Sequence, residues 1–191
     1  MTGIDPHARA AQRERIGFDP TSFRWEGVDE EAYKVGPGWK GVSRHTLARP
    51  GVIPSGFETR YFELEPGGYS SLEKHRHVHF VVALRGSGRA LVGERVYELA
   101  PFDAVYVPPL APHRWLNAGS EPFGFLCTVD GERDRPVALD DDEWERLRAD
   151  PNTPHHHTFV RTFRYPDNKC RSRTPSTARA PFPSGLRSLP T

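Results

Sequence analysis

Four side chains able to ligate a metal alternate along one short stretch: Glu73, His75, His77 and His79, within Gly67-Gly-Tyr-Ser-Ser-Leu-Glu-Lys-His-Arg-His-Val-His-Phe-Val-Val-Ala-Leu-Arg-Gly-Ser-Gly88. A further imidazole, His113, follows in Pro108-Pro-Leu-Ala-Pro-His-Arg-Trp-Leu-Asn117. Imidazole and carboxylate donors suit one divalent transition ion, and Fe, Mn, Ni, Co, Cu and Zn are all compatible with them. Extended geometry limits how they can act together. At about 3.3 Å per residue, positions 73 and 79 lie about 20 Å apart on a straight strand. Ligands of one ion sit about 2.0–2.2 Å from it. The chain must therefore bend, and Arg76-His77-Val78 is the natural place. Glu73 and His75 then end one strand, and His79 opens the next.

The elements that must position these groups are short strands. Glu58–Leu64 alternates and meets a turn at Pro66-Gly67-Gly68. His79–Leu84 stops at Gly86-Ser87-Gly88. Arg89–Val92 and Arg95–Leu99 flank Gly93-Glu94, a short hairpin connection. Ala104–Val107 ends where Pro108, Pro109 and Pro112 forbid further pairing. His113–Asn117 and Phe123–Val129 complete the set. No helical period intervenes, so the pattern predicts an all-β antiparallel sandwich or barrel. Strand parity turns Trp115 and Asn117 inward with His113, and Val81 and Ala83 with His79. Arg60, Tyr61, Tyr106 and Cys127 are the other polar or reactive side chains expected to line the interior.

The region from about Glu58 to Asp130 resembles the cupins. Their first motif runs glycine, five residues, His-x-His, three or four residues, an acid, six residues, glycine. Counting back from Gly86 puts His79 in the acid slot, His75 and Glu73 on the paired positions, and Gly67 in register. Pro108-Pro109-Leu110, His113 and Asn117 fit the second motif, with Pro101 and Leu110 in place of glycines. The resemblance implies a double-stranded β-helix, or jelly-roll, and a metal sphere of Glu73, His75, His79 and His113. An alternative register uses His77 with His75, His79 and His113 and leaves Glu73 free; the glycine spacing favours the first. Small cupins are often homodimers, which makes a dimer an expectation by resemblance alone.

The rest of the chain bounds the reading. The 191 residues suit one domain with extensions. The divisions expected are a flexible N-terminus (1–22), an arm packed on the barrel (23–57), the barrel (58–130), a charged loop and short helix (131–150), and a disordered basic tail (151–191). Asp140–Ala149 is the helix candidate, acidic at its start and basic towards its end, as the helix dipole favours. His155-His156-His157 reads as a solvated tract. A net charge of +1 gives no reason to expect nucleic acid or membrane as partners. Two cysteines make no disulfide framework, and no apolar leader is evident, so a cytoplasmic setting is expected. A metal-dependent enzyme acting on a small molecule is expected, and the resemblance of the ligand set to that of oxygen-using cupins implies dioxygenase-type chemistry first. An isomerase or lyase, or a small-molecule sensor, is the alternative. No acid–base pair stands out beyond the metal ligands, so the catalytic residues stay unassigned.

Overall fold

The computed structural model describes residues 14–34, 38–133 and 135–150. The expectations for the first 13 residues, for His155–His157 and for the tail lie outside these. The strands are β1 (Phe18–Asp19), β2 (Arg24–Trp25), β3 (Glu31–Ala32), β4 (Lys40–Ala48), β5 (Phe57–Tyr69), β6 (His79–Arg85), β7 (Gly88–Val92), β8 (Arg95–Leu99), β9 (Ala104–Val107), β10 (His113–Leu116) and β11 (Phe123–Asp130). Among the described residues one helix, α1 (Asp141–Ala149), follows them.

Every strand pairing is antiparallel, and the main sheet runs β8-β7-β10-β5-β11-β6-β9, with β4 on β5 and β3 on β4. The curled sheet is a jelly-roll whose layers share the long strand β5. Residues 57–64 of β5 pair with β11, and its far end pairs with β10 through Tyr69. The turn expected at residues 66–68 is a bulge inside this strand: β4 pairs with Leu64 and then with Tyr69, leaving the residues between unmatched. A bulge bends a strand without ending it, which lets one strand serve both layers. Strand β4 lies within the stretch expected to be an arm, so the sheet starts before residue 58.

The core between the layers includes Phe62, Leu64, Val81, Ala83, Val107, Trp115, Phe123 and Phe125. A smaller apolar cluster outside it joins Leu91 of β7 to Leu139 and Leu147, with Trp144 packed against it. Helix α1 covers that face. Asp140 caps it in a reciprocal box with Glu143, and Asp141, Asp142 and Glu143 occupy its first turn. Lys74 Nζ meets Glu143 at 2.6 Å, tying the helix to the segment between β5 and β6. Among the described residues no helix is long and apolar enough to cross a membrane.

Candidate metal centre

The bend falls where strand length requires it. Strand β5 ends at Tyr69, Glu73 and Lys74 make isolated bridges, residues 76–77 bend, and β6 begins at His79. Glu73 and His113 exchange backbone hydrogen bonds at 3.2 and 2.9 Å, which brings the second motif beside the first. Leu110 N–H donates to His75 C=O at 2.6 Å and fastens the same two segments. The motif glycines have a backbone reason. Gly67 and Gly86 take φ of +71° and +61°, a region that disfavours a side chain. Leu110, in a slot where the motif carries glycine, takes φ of +62° and bears that strain.

The ligand atoms of His75, His79 and His113 all lie within 4.8 Å of one another, and all three residues are buried. His113 Nδ1–H donates to Ala111 C=O at 3.0 Å, a tautomer that leaves the Nε2 lone pair for the cluster. His79 Nδ1 meets Cys127 Sγ at 3.4 Å, while its Nε2 is buried with no hydrogen-bond partner. Burial pushes the His113 pKa down to about 4. Burial, reinforced by His113 and His75, holds His79 well below the ordinary imidazole value. Both rings are thus neutral donors near pH 7, as metal ligation requires. The donor set fits a divalent transition ion.

The two fourth-ligand candidates are both adjacent. Glu73 Oε1 lies 3.2 Å from His75 Nε2, its Oε2 accepts from Ser71 Oγ at 2.7 Å, and Lys34 Nζ is 3.7 Å away. Burial opposes ionisation of Glu73, but His75, Lys34 and Ser71 outweigh it and bring the pKa down to about 2. The His77 ring stacks on His75 and His79 with centroids 4.5 and 4.9 Å apart.

A cavity of about 270 Å³ opens onto this cluster. Among the expected lining residues, Arg60, Trp115 and Cys127 are on its wall. Tyr61 and Tyr106 are elsewhere, and both expectations are corrected. Consecutive strand residues face opposite sides, so Arg60 inside places Tyr61 outside. There Tyr61 is buried beneath Phe23 and Trp25 and donates to Glu63 at 2.7 Å. Tyr106 is 56% exposed on β9. Asn117 is a brace whose amide donates to Leu64 C=O and Glu121 C=O. Lys34, Trp39, Ser71, Arg133 and Arg135 also line the cavity, and neither type nor spacing in the sequence marks any of them as a site residue. The aromatic density around residue 33 and the charge of 131–136 were the signals. Their place in the fold was not legible.

The cupin-domain family model matches residues 60–129. The 1-methylthio-D-xylulose 5-phosphate methylsulfurylase of Rhodospirillum rubrum is 40% identical over 132 residues, covering 68% of this chain and 83% of that protein. The chain belongs to the cupin superfamily. A cupin-2 domain crystal structure, also from Rhodospirillum rubrum, matches this cupin with a TM-score of 0.64 at 38% identity, covering 73% of this chain and 92% of that one. The glucose-6-phosphate isomerase of Thermococcus litoralis is 41% identical over 71 residues, 35% of this cupin and 36% of that enzyme.

Proposed function

We propose that this cupin is a metal-dependent enzyme acting on a small phosphorylated ketose. The observation that carries the metal is the convergence of His75, His79 and His113, with the buried His79 Nε2 lacking a hydrogen-bond partner among the described residues. The ketose follows from the methylsulfurylase relative, whose substrate is a xylulose 5-phosphate, and the glucose-6-phosphate isomerase resemblance supports a phosphorylated sugar more broadly. Dioxygenase-type chemistry rests on the resemblance of the ligand set to that of oxygen-using cupins and takes second place.

In this reading His75, His79 and His113 hold the ion and Glu73 is the fourth ligand, kept ionised by Lys34, Ser71 and His75. The bound ion supplies Lewis acidity towards a chelating carbonyl or hydroxyl oxygen. Phe62, Trp115 and Phe125 line the cavity and limit water around the substrate. Burial pushes the Cys127 thiol up, with Arg60 opposing, so the resting sulfur is protonated. It acts as a hydrogen-bond partner that sets the His79 ring. A homodimer in a cytoplasmic setting accompanies this reading.

The test is elemental analysis of purified protein, followed by incubation with 1-methylthio-D-xylulose 5-phosphate and a thiol, monitored by mass spectrometry. About one equivalent of metal and metal-dependent loss of the methylthio sugar are expected. Under about a tenth of an equivalent after reconstitution would remove the metal-based reading. A loaded protein inert towards this sugar but consuming oxygen with another substrate would restore the dioxygenase reading.

A further inference from the structure

Among the described residues, the cavity wall carries four cationic side chains, Lys34, Arg60, Arg133 and Arg135, and a single carboxylate, Glu73. Arg60 is the most deeply buried of them. It is only 3% exposed, on an inward position of β5 beside the metal ligands, and its Nε is buried with no hydrogen-bond partner. Its guanidinium reaches a thiol, Cys127 Sγ, at 3.7 Å, and stacks over the Phe62 ring at 5.0 Å. Glu58 Oε1 lies 3.7 Å from Arg60 Nε, and its other oxygen holds Arg133 Nη2 at 2.6 Å. One carboxylate thus gathers two guanidiniums, one deep and one a third exposed, and leaves the trio with an excess positive charge. A buried guanidinium with unfilled donors is costly unless an anion meets it. A phosphoryl group, with several acceptor oxygens and more than one negative charge, matches two planar forks better than any neutral group does.

We propose that Arg60 and Arg133, gathered by Glu58, form the phosphate-recognising subsite of the cavity. They orient a phosphate monoester so that its other end meets the metal ligands. Cys127 marks how close the two subsites lie, since its sulfur touches both Arg60 and His79. The cavity is small for a ligand site, which favours a substrate of a few carbons. This inference rests on the proposed phosphorylated-ketose reading and assigns residues to it.

Calorimetric titration of the metal-loaded protein with xylulose 5-phosphate, xylulose and inorganic phosphate tests the subsite. The wild type should bind the phosphorylated sugar at least about tenfold more tightly than xylulose, and inorganic phosphate should compete with it. Arg133→Gln, at a partly exposed position that spares the core, should weaken xylulose 5-phosphate by about tenfold to a hundredfold, the worth of charge-assisted hydrogen bonds. Its xylulose affinity and metal content should not change. Arg133→Lys should recover part of the loss. Arg60→Lys should weaken the phosphorylated ligand with metal retained, and circular dichroism checks its fold. Equal weakening of both sugars in Arg133→Gln, or no preference for the phosphorylated sugar in the wild type, overturns the subsite. A protein that prefers the phosphorylated ligand but turns nothing over would leave this subsite standing and remove the proposed activity.

Discussion

His113 carries the ligand geometry at the level of a single proton. Its Nδ1–H is committed to the Ala111 carbonyl, so only Nε2 can face an ion. His113→Ala should therefore reduce bound metal to below about a tenth of an equivalent, because a neutral, pre-oriented donor is lost. The fourth ligand separates on two variants. Glu73→Gln should lower metal occupancy measured by elemental analysis, while His77→Ala should leave it near wild type; the reverse pattern would assign His77 instead. Residue types and spacing made His75, His79 and His113 legible in the sequence. Arg60 and Tyr61 show where that legibility stops. Both read as polar strand residues, and only the packing of Phe23 and Trp25 against one face decides that Tyr61 belongs outside.

Among the elements, β5 has the largest role, since it passes from one layer to the other and delivers the chain to Glu73. Its partner β11 fits it through a missing side chain. A Cβ on Gly124 would lie 1.9 Å from Tyr61 Oη, and one on Gly88 would lie 2.3 Å from the Phe123 ring. Gly124→Ala and Gly88→Ala should each cost about 1–3 kcal/mol in denaturant unfolding, the range for overpacking a closed core. Leu110→Gly should behave differently. It relieves a left-handed φ while freeing the unfolded chain, so stability should stay within about 1 kcal/mol of wild type. Helix α1 was readable from its charges, and its cap adds a check: Asp140→Ala should cost about 1 kcal/mol by thermal or chemical unfolding. Strand β4 was not readable as a sheet member. Its sequence, Lys-Gly-Val-Ser-Arg-His-Thr-Leu-Ala, lacks clean alternation because most of its residues are half-buried on both faces.

For the whole molecule, the buried imidazoles set an acid response. His113 and His79 have depressed pKa values in the fold, so the unfolded chain binds their protons first. Their stabilising contribution is complete above about pH 6.5, the ordinary histidine value, and is lost as pH falls towards about 4 for His113. Glu73 acts in a lower window with the same sign, stabilising above about pH 4.5 and losing that contribution as pH falls towards about 2. The Tm of metal-depleted protein should therefore drop between pH 7 and pH 4 and continue to drop below it. His113→Gln should flatten the upper part of that curve in differential scanning calorimetry.

The sequence by itself determined the strand succession, the bend before His79, the three shared imidazoles and the family resemblance. Those follow from local rules: two-residue periodicity, proline and glycine punctuation, and ligand spacing along one chain. Tertiary structure decided which face of β5 is inside, that β4 joins the sheet, and that Lys34 and Arg133, about a hundred residues apart, share one cavity wall. Such pairings depend on how the layers close over each other, and no local spacing encodes that closure.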